Sequence, residues 1–176
     1  DNRRPAQGAQ PTNMTLVRHF TSTGFVVHRD RVLLHWHPKV CEWLPPGGHV
    51  NENEDPVQAV IREIEEESGL RAEVVSAGPR LELEYPGQVT APFSIMVEDI
   101  HDPVQGYHQH IDMIYFCRLT GPAGLLKAGW RWVNRGELAD GAPLERNDGH
   151  GAVPPDDVRV LAQRALAVVA ASAPPF

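Results

Sequence analysis

Three glutamates on one turn of a predicted helix form the clearest chemical signal in the sequence. Glu63, Glu66 and Glu67 have the spacing i, i+3 and i+4, which brings side chains to one face of an α-helix. Carboxylates held this close repel one another, so a helix that served stability alone would not concentrate them there. A hard divalent cation such as Mg²⁺ or Mn²⁺ relieves that repulsion and prefers carboxylate oxygens. The cluster predicts a metal site, whereas a solvated acidic face is the alternative for a glutamate run alone.

The residues around the cluster favour the metal site. Arg62 can reach back to Glu54 and connect the preceding loop to the helix. Gly47 and Gly48 let the backbone turn tightly, which would bring carbonyl oxygens near the carboxylates. Gly69 ends the helix directly after the last carboxylate. Each feature is ordinary by itself, but their fixed spacing is not.

That spacing carries a resemblance to a known family. Residues 48–70 read GHVNENEDPVQAVIREIEEESGL, which resembles the Nudix box, G-x5-E-x7-R-E-U-x-E-E-x-G-U with U apolar. Every fixed position and both apolar positions are filled, by Gly48, Glu54, Arg62, Glu63, Glu66, Glu67 and Gly69 and by Ile64 and Leu70. The preceding Trp43-Leu44-Pro45-Pro46-Gly47 is also similar to the family's lead-in.

The resemblance implies an Mg²⁺- or Mn²⁺-dependent hydrolase of a phosphoanhydride bond in a nucleoside diphosphate linked to another group. Carried over, the metal ligands are Glu66 and Glu67, with Glu63 as a further ligand or as the residue that orients the attacking water. The carbonyl of Gly47 completes the coordination. Glu63, Glu66 and Arg62 are the predicted catalytic residues, Arg62 by holding loop and helix in register. Gly48, Glu54 and Gly69 support the box structurally.

The general base is left open between several carboxylates. Family members take it from the box or from a loop elsewhere, and the segment before Trp132 has no carboxylate to supply one. Glu63 or Glu66 is favoured over Asp112 and Glu145.

A second cluster comprises His108, His110 and Asp112, which point the same way in an extended strand. Two imidazoles and a carboxylate can bind a metal or grip a phosphate. A substrate contact is favoured over a second metal site, and a polar strand end is the alternative without function. Neighbouring Tyr107 is the best candidate to stack on a base.

The elements that must position these residues alternate along the chain. Strands are predicted over residues 16–28, 31–37, 41–44, 81–85, 93–98, 111–119 and 130–133, with a loop over residues 45–48. A helix capped by Asp55 runs to Gly69, and a second covers about residues 155–171. The predicted fold class is α/β, a Nudix-type α/β/α sandwich around a mixed β-sheet. Residues 14–172 are predicted to form one domain, after a flexible extension over residues 1–13.

The composition of the chain limits the kinds of binding partner that we expect. The 176 residues carry a net charge of −7, which argues against a nucleic-acid polymer as partner but leaves a small nucleotide open. No apolar run is long enough for a membrane span, and two cysteines fit a reducing cytoplasm. A homodimer is one expectation from the family.

The leading functional hypothesis is a pyrophosphohydrolase of nucleoside di- or triphosphates or related conjugates. The alternative within the family is an ADP-ribose or nucleotide-sugar pyrophosphatase, because Pro86 follows the box at about the distance typical of ADP-ribose-cleaving members. A catalytically lapsed nucleotide sensor is less favoured, since a binder has no need for all three carboxylates.

Overall fold

An eight-stranded mixed sheet is the framework of the computed structural model, which describes residues 16–76, 78–146 and 148–172. The strands are β1 Arg18–His28, β2 Arg31–His37, β3 Glu42–Leu44, β4 Gly47–His49, β5 Ala72–Val74, β6 Ser94–Asp102, β7 Gly106–Leu119 and β8 Trp130–Asn134. They follow the order β3-β2-β1-β7-β5, and β4 pairs with β1, β6 with β7 and β8 with β2. β1 and β7 run parallel, whereas the other pairs are antiparallel. The flexible extension predicted at residues 1–13 lies outside the described residues.

Helices cover both faces of this sheet. The helices are α1 Pro56–Ser68, α2 Arg135–Asp140 and α3 Asp156–Ala171, and a small separate sheet comprises β9 Leu144–Glu145 and β10 Gly151–Ala152. Alternation along β1 sends Phe25 into the core under α3 and Val26 into the core under α1. The predicted α/β/α sandwich around a mixed sheet is therefore confirmed. Within the described residues, no helix combines the length and the apolar character that crossing a membrane requires.

Helix α1 begins and ends where local chemistry dictates. The side chain of Asp55 accepts hydrogen bonds from the backbone N–H groups of Val57 and Gln58, and the side chain of Gln58 accepts one from the Asp55 N–H. In each bond a backbone N–H is the donor and a side-chain oxygen the acceptor, so these bonds satisfy backbone donors that have no partner inside the helix. Gly69 ends the helix in the left-handed conformation, with φ of 75°, and donates its N–H to the Glu65 carbonyl. Val60 and Ile64 are fully buried, which holds the opposite, acidic face at the surface.

The prediction of a strand over residues 81–85 is wrong. Leu81, Leu83 and Tyr85 alternate with glutamates, but the segment pairs with no strand and these side chains are exposed. An alternating pattern forms a strand only where the backbone hydrogen-bonds to a partner strand, and this segment has none in the sheet.

The loop predicted over residues 45–48 is only partly correct. Gly47 and Gly48 belong to β4, where they pair with Thr23 and Ser22 of β1. Without side chains they allow β4 to lie directly under the acidic face of α1. The elements β5, α2, β9 and β10 were absent from the sequence prediction because such short segments carry almost no periodicity.

Candidate active site

Arg62 joins the loop before α1 to the acidic face of the helix. Its guanidinium donates two hydrogen bonds to the Glu54 carboxylate, at 2.8 and 3.0 Å, and one to the carbonyl of His49 at 3.0 Å. It also contacts Glu63 at 2.7 Å and Glu66 at 3.1 Å. The hydrogen bonds that Arg62 donates to Glu54 hold the pKa of Glu54 below its usual value. The register role predicted for Arg62 and Glu54 thus has a geometric basis.

Gly48 allows β4 to approach Glu63 more closely than any other residue could. A Cβ at this position would clash with Oε1 of Glu63. Glu63 is half-buried between this backbone and Arg62, so its carboxylate has little freedom. The close packing orients one of the three carboxylates before any ligand is present.

Glu67 is the carboxylate whose environment is most unusual. Partial burial raises its pKa to about 7, and the neighbouring charges of Glu63 and Glu66 act in the same direction. The backbone N–H of Gly47 donates to it at 3.3 Å and partly opposes this rise. Concentrated negative charge that is partly removed from water favours a bound dication, so these residues fit Mg²⁺ or Mn²⁺. The predicted ligand role of the Gly47 carbonyl remains a prediction.

A cavity of about 150 Å³ opens on the α3 side of the sheet, with Gly47 of β4 in its wall. Gly47 and Asp112 line it together with Glu98 and Asp157, and the remaining wall is mainly apolar, formed by Phe25, Leu44, Pro45, Met96, Ile114, Val158 and Leu161. Because Gly47 both lines the cavity and contacts Glu67, the cavity adjoins the carboxylate face. A concave, largely apolar space with a few polar groups is typical of a small-molecule site.

Asp112 is held in the cavity wall by two hydroxyl groups. Thr21 donates to it at 3.0 Å, and Thr23 donates at 2.8 and 3.0 Å. Burial raises the pKa of Asp112, while the two hydroxyls act against the rise. Asp112 is therefore oriented by β1 and does not share a hydrogen bond with the histidines that precede it.

The predicted second cluster separates into three parts. His108 and His110 meet each other at 3.2 Å between Nε2 atoms and lie close to the rings of His19 and His49. Tyr107 lies on the opposite face of β7, where its exposed hydroxyl donates to Asp99 at 2.7 Å. The structure therefore does not bring Tyr107 to the cavity.

His19 and His49 were not predicted from the sequence as members of this cluster. His19 reaches this position because β1 pairs in parallel with β7, where it is in register with His110. Neither residue belongs to a recognisable motif, and only the strand pairing could have indicated them. Burial, followed by the nearby His49, His108 and His19, lowers the pKa of His110 to about 4.

Comparison with known proteins assigns the family. The sequence profile of the NUDIX domain matches residues 18–156. The crystal structure of a NUDIX family hydrolase from Clostridium perfringens is 29% identical, with a TM-score of 0.68, over 88% of this chain and 99% of that chain. The mutator MutT protein from Bacillus halodurans has the same fold at 18% identity and a TM-score of 0.51, over 84% of this chain and 82% of that chain.

A further match is confined to a short segment. The chain is 53% identical over 34 residues to the m7GpppN-mRNA hydrolase NUDT17 of Xenopus laevis, which corresponds to 19% of this chain and 12% of that protein. The chain thus spans a small part of that curated relative. Together with the profile match and the fold, these findings establish that the chain belongs to the Nudix family and is a Nudix hydrolase.

Proposed function

We propose that this Nudix hydrolase is an Mg²⁺- or Mn²⁺-dependent pyrophosphohydrolase that cleaves a phosphoanhydride bond in nucleoside di- or triphosphates or related nucleoside diphosphate conjugates. The observation that carries the proposal is the cavity that ends at Gly47, because the same residue contacts the box carboxylate Glu67. A nucleoside in the cavity would therefore extend its phosphates toward the acidic face of α1.

The roles proposed for the acidic face are those that the family resemblance implies. Glu66 and Glu67 would hold the cation, with Glu63 as a third ligand or as the group that orients water. When bound, the cation neutralises phosphate charge and lowers the pKa of a coordinated water. Glu63 or Glu66 would accept the proton of the attacking water, because both belong to the acidic face and Arg62 fixes their positions. Arg62 supports this arrangement and supplies no proton transfer of its own.

The cavity would select the nucleoside part of the substrate. Phe25, Met96 and Ile114 offer an apolar surface for the flat faces of a base. The carboxyl oxygens of Asp112 and, at the rim, Glu98 can accept hydrogen bonds from ring or amino N–H groups. A substrate contact for Asp112 is thus retained from the sequence prediction, whereas none is proposed for Tyr107.

A second substrate class shares the same catalytic face. An ADP-ribose or nucleotide-sugar substrate is supported by the position of Pro86, sixteen residues after Leu70. Pro86 lies on the exposed segment between β5 and β6. The two classes differ in the leaving group, so product identity separates them.

The test is a screen of nucleoside triphosphates, nucleoside diphosphates, ADP-ribose, nucleotide sugars, dinucleoside polyphosphates and capped RNA, each with Mg²⁺ or Mn²⁺. Products are identified by mass spectrometry after reaction in ¹⁸O-labelled water, which shows the phosphorus that is attacked. We expect metal-dependent cleavage of one class and turnover at least about 100-fold slower with Glu67→Gln. Turnover in the presence of a chelator, or turnover retained by Glu67→Gln, would contradict the proposal.

Two further expectations from the sequence remain proposals. A homodimer is one, and sedimentation velocity of the full chain would determine whether it forms. A cytoplasmic location is the other, and microscopy of the tagged protein in its own cell would test it. If nucleotides bind but no product appears in the screen, the protein is a nucleotide sensor without turnover.

A further inference from the structure

Four histidine rings gather where β1 and β7 begin. His19 comes from β1, His49 from the end of β4, and His108 and His110 from β7. The ring centroid of His19 lies 5.0 Å from that of His108 and 6.0 Å from that of His110. The centroids of His49 and His110 are 5.0 Å apart. Three strands that are distant in sequence thus deliver imidazoles to one place.

We propose that His19, His108 and His110 form a binding site for a borderline transition-metal dication such as Zn²⁺, separate from the carboxylate site. One nitrogen of each ring lies within 4.8 Å of the others. Two nitrogen ligands of a tetrahedral Zn²⁺, each at 2.0–2.1 Å, lie about 3.3 Å apart. The Nε2 atoms of His108 and His110 are already 3.2 Å apart. This pair therefore has the spacing of two ligands on one ion.

The tautomer of His108 also suits a metal ligand. Its Nδ1 lies 3.1 Å from the carbonyl oxygen of Gly106, which can only accept a hydrogen bond. Nδ1 therefore carries the proton, and Nε2 of the neutral ring directs its lone pair toward His110. Metal-binding histidines commonly donate their second ring N–H to a backbone carbonyl in this way.

The ring nitrogens are not engaged by acidic side chains. Among residues 16–76, 78–146 and 148–172, none of the four rings forms a hydrogen bond with a carboxylate. A hydrogen-bonded imidazole pair explains each 3.2 Å contact separately, but it does not explain why a third ring is held alongside. Imidazole nitrogen selects Zn²⁺, Cu²⁺ or Ni²⁺ rather than Mg²⁺, which prefers oxygen.

His49 lies next to the fourth coordination position of the proposed Zn²⁺ site. Nε2 of His49 lies 3.2 Å from Nδ1 of His19, so His49 stands next to the three ligands. Three protein ligands otherwise leave a position for water or an anion. The sequence prediction favoured a substrate contact for His108 and His110, and the geometry instead points to the metal alternative.

The test measures Zn²⁺ retained by the full chain. The protein is dialysed against Zn²⁺ in a large excess of Mg²⁺, which occupies oxygen sites, and bound zinc is counted by mass spectrometry. We expect one Zn²⁺ per wild-type chain and its loss in both His19→Gln and His110→Gln. Glu67→Gln and His101→Gln are the matched controls, and both should keep the ion. His101 is an exposed histidine on β6 outside the cluster.

The outcomes separate this site from the proposed hydrolase function. Zinc retained by both cluster variants, zinc lost from Glu67→Gln, or no zinc on the wild-type chain each overturns the proposal. Thermal unfolding of the metal-free variants verifies that they fold, and a Zn²⁺-dependent rise in Tm should occur only where the ion is retained. His19 and His110 are both partly exposed, so either variant suffices if the other does not fold. A negative result here leaves the hydrolase proposal unaffected, because the substrate screen contains only Mg²⁺ or Mn²⁺.

Discussion

Replacing Glu67 with Gln should stabilise the metal-free protein while it removes activity. Glu67 has its pKa raised to about 7, mainly by burial, so the folded state resists its ionisation. Glutamine has the same shape, stays neutral and can still accept the N–H of Gly47. The substitution therefore removes the cost of the charge without removing the hydrogen bond.

The size and pH window of the effect follow from the pKa. A rise from 4.5 to about 7 corresponds to about 3 kcal/mol at about 1.4 kcal/mol per tenfold change in proton affinity. Because the side chain keeps contact with solvent, we expect roughly 1–2 kcal/mol. The folded state binds the proton more tightly than the unfolded state, so wild-type stability falls relative to Glu67→Gln as pH rises from 4.5 to about 7. Above pH 7 the difference is constant, and below pH 4 it disappears.

The assay is urea unfolding in a chelator at pH 4, 6 and 8, repeated at pH 8 with Mg²⁺. Bound Mg²⁺ should stabilise the wild type and reverse the order of the two proteins. Loss of even an outer partner of a metal ligand costs about 10- to 100-fold in activity, so kcat of Glu67→Gln should fall at least about 100-fold. Glu65→Gln changes an exposed carboxylate of the same helix and should alter neither quantity. Equal stability of wild type and Glu67→Gln at pH 8 without metal would refute the reasoning.

Three other perturbations test the site in different ways. Gly48→Ala places a Cβ against Glu63 and should lower kcat about 100-fold. Gly87→Ala is the control, because the space around Gly87 is open, and it should leave kcat unchanged. Equal rates for the two variants would show that the close approach of Gly48 to Glu63 is unimportant. A chelator should abolish hydrolysis and Mg²⁺ or Mn²⁺ should restore it, as followed by phosphate release; persistent turnover would exclude the metal. Asp112→Asn removes a charged hydrogen-bond acceptor, and a hydrogen bond to such a group contributes about 1.5–3 kcal/mol. The substitution should therefore raise KM for the preferred nucleotide at least about tenfold and change the Mg²⁺ dependence little. An unchanged KM would show that the role of Asp112 is structural.

The sequence predicted those features that depend on neighbours along the chain. The bounds of α1 were predictable because Asp55 and Gly69 cap it locally, and its buried and acidic faces follow from helical periodicity. The box spacing predicted which carboxylates share a face. Arg62 was expected to reach Glu54 for the same reason, since only eight positions separate them.

Features that depend on strand pairing could not be predicted in the same way. The histidine cluster requires the parallel register that sets His19 beside His110, and these residues are 91 positions apart in the chain. The alternating segment at residues 81–85 had the pattern of a strand but pairs with no strand of the sheet. Tyr107 was assigned to the site by closeness in sequence, although one step along a strand reverses the face.

Strand β4 connects the parts of the site that the sequence left separate. The N–H of Gly47 contacts Glu67 and its backbone lines the cavity, while Gly48 packs against Glu63. The carbonyl of His49 accepts from Arg62, and its ring belongs to the histidine cluster. Three consecutive residues therefore contact the carboxylate face, the cavity and the imidazoles. A shift of β4 along β1 would displace all three together, so the pairing of β4 with β1 sets the geometry of the whole site.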